Sequence, residues 1–316
     1  MTSIKEKIYI VGHRRPDLDS IASVIGYHYF KQSQGYFNYH AIRCDKINPV
    51  TEWILERFKV KVPPYIPDIS GMTVVLLDHT YSKSRAKGWE SANIIEVIDH
   101  HDVKLEDIIP KSITIRPCGS TSTLITEKII DARVNIPSNI AAILLCAILD
   151  DTLGFKSPTT TQLDREMVTE LAKISEIEDI EGLTKEIFTI KDVWSEIDAR
   201  EIVEMDIKEV EIENKKLSIS QVETVDREKL REKEDDILNE LESINGSNSY
   251  DLRIVMITDL TRGDCILLFT GKDKEILIKQ LGNKYENNRG YLSGIVSRKK
   301  QLLPLLTHMY ESNKGY

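Results

Sequence analysis

The sequence predicts an α/β fold, with a doubly wound, mostly parallel sheet followed by a second, smaller α+β domain. Short β-branched apolar runs alternate with helical patterns in the first half, which is typical of parallel strands covered by helices on both faces. From about residue 176 the chain becomes more charged, and apolar residues begin to alternate with polar ones. The length of 316 residues also exceeds one domain of roughly 150 residues, so about two domains are expected.

The first half contains four predicted strands and five predicted helices. Asn48 can cap the second helix, which has proline at its first position. The strands are expected at Ile8–Val11, Tyr39–Arg43, Thr73–Leu77 and Ile94–Ile98. The helices are expected at Ser20–Phe30, Pro49–Phe58, Gly119–Asp131, Ser138–Leu149 and Thr160–Ile174. Together they predict a first domain over residues 1–190.

The second half predicts a smaller domain over residues 197–316, joined to the first by a helix or linker near 188–196. Its first feature is a hairpin, because two alternating segments flank Asn214–Lys215. The expected elements are the strands Lys208–Glu213 and Lys216–Gln221, a charged helix from Arg227 to Glu242, and the strands Leu252–Thr258 and Cys265–Phe269.

Charge and composition exclude several classes of protein. The 42 basic and 51 acidic residues give a net charge of −9, which argues against a general nucleic-acid binder with a basic face. The longest apolar run, Ile140–Leu149, is about half the ~20 residues that span a bilayer, and Met1–Lys7 is polar, so neither a membrane span nor a secretory signal is expected. Four scattered cysteines fit free thiols in a reducing cytoplasm.

Histidine and aspartate side chains follow three of the predicted strands. Because ligand sites in open α/β sheets gather at the carboxyl ends of strands, we expect these side chains to meet at one edge. Asp150 and Asp151 end the apolar helix, where the helix dipole and burial both disfavour negative charge. A bound cation would offset both costs. The residues after the strands are His13, Asp17, Asp19, Asp78, His79, Asp99, His100 and His101.

Histidine and aspartate ligands without cysteine suit Mn²⁺, Co²⁺, Fe²⁺, Zn²⁺ or Mg²⁺. Two such ions ~3.5–4 Å apart are the usual clamp for phosphoryl hydrolysis. Each pair of residues also has a plainer explanation, because Asp17 and Asp19 can cap a helix and Asp78 and Asp99 can be turn residues. Their convergence on one sheet edge favours the metal site.

A basic cluster, Ser297-Arg298-Lys299-Lys300-Gln301, lies near the C-terminus. Three adjacent cations in an acidic protein form either a solvated surface or an anion pocket in which Arg and Lys bind phosphate oxygens. Lys208 is a candidate for a further cation, although a lone lysine is most often solvated.

Five motifs make the sequence resemble the manganese-dependent, family II inorganic pyrophosphatases of the DHH phosphoesterase superfamily. The first three mark the superfamily, and the last two indicate the pyrophosphatase branch with its DHHA2-type second domain. The motifs are GHRRPDLDSI at Gly12–Ile21, LLDHT at Leu76–Thr80, DHH at Asp99–His101, ILDDTLGFKSPTTT at Ile148–Thr161 and SRKKQLLP at Ser297–Pro304.

The resemblance implies two Mn²⁺ ions per subunit, with Co²⁺ as an alternative, and Mg²⁺ arriving with the substrate. Asp78 would bridge the two ions. Asp99 would orient a histidine rather than bind metal, and His101 would be either a phosphate ligand or the proton donor to the leaving group. The implied ligands are His13 and Asp17 on one ion and Asp19, His100 and Asp151 on the other. The implied substrate contacts are His101, Lys208, Arg298 and Lys299.

The implied activity is hydrolysis of diphosphate to two phosphates by a metal-bridged hydroxide, in a cytoplasmic homodimer without nucleic-acid or membrane partners. One alternative is a related phosphoesterase acting on short polyphosphate or oligonucleotides, and another is a weakened sensor of metal or phosphate. Relatives that cleave oligonucleotides carry a G-G-G-H motif, and this chain has no adjacent glycines.

Four residues depart from the family pattern without removing a ligand. Arg15 and Leu18 replace asparagine and threonine, Thr80 replaces asparagine, and Asp150 replaces serine. Asp150 adds negative charge beside a ligand, so it is expected to alter metal preference or affinity. Arg15 either adds a cation to the site or points into solvent. The segment between His101 and Asp151 is too short for the regulatory nucleotide-binding insert of some relatives.

Overall fold

The computed structural model describes residues 6–105, 107–192, 197–247 and 250–312. The chain divides into two compact units, Met1–Ile187 and Phe188–Tyr316. The domain limits 1–190 and 197–316 stay a prediction. Of the expected linker near 188–196, residues 188–191 belong to a helix, and residues 193–196 lie outside the described part of the chain.

The first unit is built on a sheet whose five described strands pair in parallel, which confirms the predicted α/β class. The strands are β1 (Ile8–Val11), β2 (Tyr39–Ile42), β3 (Thr73–Leu77), β4 (Asn93–Asp99) and β5 (Ser112–Ile115). Their order is β2-β1-β3-β4-β5. The chain therefore runs from β1 to β2 on one side and then crosses to β3 on the other side of β1. Ligand sites in open α/β sheets form at the carboxyl ends of strands beside such a switch point.

Six α-helices are described between Leu18 and Lys191, and the last of them runs past Ile187 into the second unit. They are α1 (Leu18–Ser33), α2 (Pro49–Arg57), α3 (Thr121–Asp131), α4 (Ser138–Asp151), α5 (Gln162–Ser175) and α6 (Ile180–Lys191). The predicted cap of α2 is confirmed, because the side chain of Asn48 accepts a hydrogen bond from Thr51 N at 2.8 Å. Helix α4 is buried without interruption from Ala141 to Asp150, which explains its long apolar run.

The sequence patterns missed β5 and α6 and placed the start of α3 two residues early. Strand β5 is a short edge strand whose residues are exposed or half-buried, so it lacks the apolar run that marks the other strands. Helix α3 begins at Thr121 because Ser120 caps it, with its side chain accepting from Ser122 N.

The second unit contains a six-stranded sheet with one parallel pair, β7 with β8, among antiparallel pairs. The strands are β6 (Lys208–Ile212), β7 (Lys215–Thr224), β8 (Leu252–Asp259), β9 (Asp264–Thr270), β10 (Tyr285–Glu286) and β11 (Arg289–Ser293). Their order is β10-β11-β9-β8-β7-β6. The predicted hairpin is confirmed as β6–β7. Its turn is Glu213–Asn214, one residue earlier than the predicted Asn214–Lys215, with φ of 52° and 61°, as a tight two-residue hairpin requires.

Helices cover both faces of this second sheet. They are α7 (Ala199–Glu204), α8 (Arg227–Arg231), α9 (Glu234–Ser247), α10 (Lys274–Leu281) and α11 (Leu303–Ser312), with a π-helical turn at Arg298–Leu302. Leu277 and Leu306 of α10 and α11 pack on one core, and Ile202 and Ile237 of α7 and α9 pack on another. Within the described ranges, no helix has the length and apolarity needed to cross a membrane.

The single predicted helix from Arg227 to Glu242 is wrong, because the chain forms two helices there, α8 and α9. Lys233 N bonds back to Leu230 O at 3.0 Å and closes the first helix. Glu234 then begins α9 as a buried carboxylate, held by Arg289 of β11 at 2.7 Å. This ion pair joins residues far apart in sequence, so a local pattern could not reveal it.

A buried carboxylate joins the start of α5 to the start of α3. Asp164 is fully buried and accepts four hydrogen bonds of 2.6–2.8 Å. The donors are the backbone N–H groups of Gly119 and Thr161 and the hydroxyls of Thr123 and Thr161. A single side chain thus fixes the segment that precedes α3.

We expect Asp164→Ala to lower the free energy of unfolding by about 3–5 kcal/mol, because each buried donor left without an acceptor costs about 1–3 kcal/mol and hydroxyls can turn to new partners. Urea unfolding followed by circular dichroism measures the loss. Glu166→Ala removes an exposed carboxylate from the same helix and should change stability by less than about 0.5 kcal/mol. Equal stability of the two variants would contradict the structural role of Asp164.

Candidate metal centre

The six side chains predicted as metal ligands come together in the first unit. His13 follows β1, Asp78 follows β3 and His100 follows β4, while Asp17 and Asp19 begin α1 and Asp151 ends α4. Their ligand atoms form two groups, each with all atoms within 4.8 Å of one another. The groups are His13, Asp17 and Asp78, and Asp19, His100 and Asp151. A third group, Asp78, His100 and His101, overlaps them.

Asp78 lies between the two groups and presents a different oxygen to each. Its Oδ2 is 3.3 Å from Nε2 of His13, and its Oδ1 is 3.6 Å from Nε2 of His100. The same nitrogen of His13 is 3.6 Å from Asp17 Oδ1, and that of His100 is 3.8 Å from Asp151 Oδ2. These distances are longer than hydrogen bonds between such atoms.

The orientation of the two imidazoles fits a metal ion. Nδ1 of His13 is 2.8 Å from Arg14 O, and Nδ1 of His100 is 3.0 Å from Cys118 O. Because a carbonyl oxygen only accepts, each Nδ1 carries the hydrogen, and each Nε2 of a neutral ring turns a lone pair towards carboxylate oxygens. Nε2 of His100 and Oδ2 of Asp78 are buried without a hydrogen-bond partner among the described residues. A divalent cation in each of the two groups would give each of these atoms a partner.

Three side chains of the site, Asp78, Asp151 and His13, have raised pKa values. Burial raises the pKa of Asp78 well above its usual range, and the charge of Asp19 raises it further. Burial, and then Asp19, likewise raise the pKa of Asp151. Burial opposes the charged form of His13, yet Asp17 and Asp78 raise its pKa well above the ordinary value. So much buried negative charge is stable only beside a compensating positive charge.

The start of α3 holds two of the carboxylates in place. Asp19 accepts hydrogen bonds from Ser120 Oγ (2.6 Å), Thr121 N (2.7 Å) and Ser122 N (2.8 Å). Thr121 Oγ1 also donates to Asp78 Oδ1 at 3.0 Å. The first N–H groups of a helix lack intrahelical partners and carry partial positive charge, so they favour an anion there.

Sequence reasoning missed the three residues of this helix start, Ser120, Thr121 and Ser122. The available signal was a run of small hydroxyl residues after Gly119, directly before an apolar helical pattern. That pattern indicates a helix cap, but it does not reveal which carboxylate the cap binds.

Asp99 orients a histidine, as the resemblance implied, and that histidine is His101. Its Oδ1 is 2.8 Å from His101 Nδ1 and also accepts the backbone N–H groups of His100 and His101. Burial lowers the pKa of His101, but Asp99 and Asp78 outweigh it and raise the pKa to about 9. His79, the remaining histidine of this edge, is buried, with Nδ1 2.8 Å from Leu77 O.

The four departures from the family pattern occupy different environments. Arg15 is exposed, whereas Leu18 and Thr80 are buried and Asp150 is 5% exposed. Thr80 joins two loops, because its hydroxyl donates to Asp102 O at 3.0 Å and accepts from Lys104 N at 3.1 Å. The loop that carries Asp78 is thereby fixed to the loop that carries His100.

The predicted substrate cations Lys208, Arg298 and Lys299 belong to the second unit. Lys208 begins β6 and is exposed. Arg298 and Lys299 open the π-helical turn, where Lys299 is exposed and the side chain of Arg298 is only 13% exposed. Arg298 is bonded to Asp206 and to the carbonyl of Ile219.

Comparison with known proteins agrees with this architecture. Residues 7–148 match the DHH family N-terminal domain, and residues 185–309 match the DHHA2 domain. The manganese-dependent inorganic pyrophosphatase of Methanocaldococcus jannaschii is 37% identical over 310 residues, which are 96% of this chain and 99% of that protein. The manganese-dependent inorganic pyrophosphatase of Bacillus subtilis is 33% identical over 307 residues, 96% of this chain and 98% of that protein.

The fold is also similar to a crystal structure described as a family II inorganic pyrophosphatase of Methanococcus jannaschii. The TM-score is 0.77 at 36% sequence identity, over 96% of this chain and 99% of that one. The two matched domain models and the near full-length relatives thus agree with the observed α/β architecture. The chain belongs to the family of manganese-dependent, family II inorganic pyrophosphatases, in which a DHH domain is joined to a DHHA2 domain.

Proposed function

We propose that this chain hydrolyses diphosphate to two phosphates and that Mn²⁺ is its metal. The observation that carries the proposal is Asp78, whose two oxygens face two separate groups of histidine and aspartate ligands. The names of the near full-length relatives support both the substrate and the metal. The alternatives, a polyphosphate or oligonucleotide phosphoesterase and a sensor, have no observation of their own in their favour.

The ligand assignment we propose follows the two groups. His13 and Asp17 would hold one ion, Asp19, His100 and Asp151 a second, and Asp78 both. When bound, such a pair of ions lowers the pKa of a shared water towards neutrality and supplies a hydroxide for in-line attack. Asp19 is held by the start of α3, so its carboxylate is oriented before the ion arrives.

His101 is suited to handle a proton or a phosphate oxygen. Asp99 accepts from its Nδ1, which leaves Nε2–H of the protonated ring as a donor towards substrate. Lys208, Arg298 and Lys299, with Mg²⁺ brought by the substrate, would neutralise the charge that develops on the phosphates. His101 would donate either to a bound phosphate or to the leaving group.

We further propose a cytoplasmic homodimer without nucleic-acid or membrane partners. The four cysteines are free and buried, which suits a reducing compartment. Strand β5 forms one edge of the first sheet, where unpaired backbone groups offer a template for another strand. Ile113 on this strand is 50% exposed and the nearby Ile109 is 98% exposed. Pairing with β5 of a second copy would satisfy the backbone and cover both side chains.

Protein stripped with a chelator should lose diphosphate hydrolysis and regain it better with Mn²⁺ or Co²⁺ than with Zn²⁺, because the ligands are imidazoles and carboxylates. Phosphate release measures this, with triphosphate and a dinucleotide as competing substrates and Mg²⁺ as a further metal. Undiminished activity after stripping would contradict the metal mechanism. Faster cleavage of triphosphate or the dinucleotide would instead favour the other phosphoesterase activity.

Asp78→Ala should be the most damaging single ligand change, because one carboxylate serves both groups. We expect turnover to fall at least about a hundredfold, the upper end of the loss seen for changes around a metal site. Metal content measured by mass spectrometry should fall below that of the wild type. Asp131→Ala removes an exposed carboxylate outside the groups and should leave both unchanged. Full metal content and turnover in Asp78→Ala would remove Asp78 from the site.

Ile113→Glu should convert the dimer to monomer, because a charge on β5 blocks edge-to-edge pairing. Analytical ultracentrifugation of the two proteins measures the change. Ile207→Glu places the same charge on a side chain that is 44% exposed in the second unit and serves as the control. A wild-type monomer, or an Ile113→Glu dimer, would exclude this interface.

A further inference from the structure

Arg298 is held at one end by Asp206, a residue with no role in the mechanism above. Its Nη1 donates to the backbone carbonyls of Asp206 and Ile219, the latter at 3.0 Å. Its Nη2 donates to Asp206 Oδ2 at 2.9 Å. Asp206 therefore accepts from both terminal nitrogens, through its backbone oxygen and through its carboxylate.

These contacts engage only part of the Arg298 guanidinium. The group has five N–H donors, and three are taken by Asp206 and Ile219. Both hydrogens of Nη1 are used, and Asp206 occupies the end of the fork between Nη1 and Nη2. Among the described residues, the remaining donors, one on Nη2 and one on Nε, have no partner. They lie side by side on one edge of the group, as in arginines that bind two oxygens of a phosphate.

The backbone of Asp206 suits this double contact. Its φ is 42°, in the left-handed region that aspartate and asparagine tolerate better than most residues. In this conformation the carbonyl and the carboxylate of one residue reach the same guanidinium. Two residues later Lys208 begins β6, so Asp206 also ties Arg298 to the segment that carries a second proposed substrate cation.

The negative charge of Asp206 by itself opposes the binding of an anion. The carboxylate of Asp206 is 64% exposed and lies beside a cation that we propose to bind an anion, so by charge alone it should weaken diphosphate binding. Its compensating effect is geometric. A long side chain that is already fixed loses less conformational entropy when it binds.

We propose that Asp206 is a positioning residue for diphosphate binding, which holds Arg298 with its Nε and Nη2 edge turned to a phosphate group. The inference rests on the proposed function, because it requires Arg298 to contact the substrate. A simple charge effect would make removal of the Asp206 carboxylate strengthen diphosphate binding. The inference predicts the opposite, that its removal weakens binding.

Steady-state hydrolysis of diphosphate by the Mn²⁺-loaded full-length enzyme tests the proposal. Asp206→Ala should raise KM about three- to tenfold, the cost of fixing one long side chain on binding, with a smaller change in kcat. Asp206→Asn keeps an acceptor oxygen and tolerates the same backbone, so it should restore most of the wild-type KM. Glu211→Ala removes an exposed carboxylate of β6 and should leave KM unchanged or lower it.

A double variant, Asp206→Ala with Arg298→Ala, shows whether Asp206 acts through Arg298 or contacts diphosphate itself. Arg298→Ala should raise KM at least about tenfold, the loss of a charge-assisted hydrogen bond. Asp206→Ala should add nothing further in that background, because a positioning residue acts only through its partner.

Three results would overturn the inference. Asp206→Ala with a KM at or below that of Glu211→Ala would show that the carboxylate only repels or competes with diphosphate. Wild-type kinetics of Arg298→Ala would remove Arg298 from the substrate site and Asp206 with it. A wild-type enzyme that releases no phosphate from diphosphate would overturn the proposed function as well, and the other two results would leave that function intact.

Discussion

The mutual repulsion of buried carboxylates at one edge of the first sheet is the constraint on which the site depends. Asp78 is 2% exposed and Asp19 is 1% exposed, and each raises the energy of the charged carboxylates near it. The sheet cannot avoid this crowding, because the strand order of the parallel sheet brings the ends of β1 and β3 side by side. The protein must therefore supply positive charge there, partly from its own backbone and partly from ions.

The protein's own contribution comes from helix ends and carbonyl groups. The start of α3 directs two N–H groups at Asp19, and Asp164 in turn fixes the Gly119 segment that leads into that helix. Backbone carbonyls bind Nδ1 of His13 and His100, so both rings present Nε2 to the carboxylates. This arrangement orients the proposed ligands without any ion, which would reduce the conformational entropy lost when an ion binds.

The proposed substrate cations of the second unit have long side chains, and Arg298 is held in one position by its neighbours. Arg298 is fixed by two backbone carbonyls and one carboxylate, and the turn that carries it is closed by Ser297, whose side chain accepts from Lys300 N. The sheet beneath is antiparallel except for β7 and β8. In both units a side chain proposed to function is oriented by a partner outside the proposed reaction, Asp19 by the start of α3 and Arg298 by Asp206.

The sequence by itself determined the fold class, the strands β1 to β4, the β6–β7 hairpin and the His and Asp residues that converge at the sheet edge. Those features follow from local patterns, such as apolar runs ended by Asp78 or by Asp99. Only the tertiary structure decided that Ser120, Thr121 and Ser122 hold Asp19, that Glu234 splits a predicted helix, and that Asp206 holds Arg298. Each of these contacts joins residues between 55 and 103 positions apart, and a local pattern carries no information about which distant partner a polar side chain will meet.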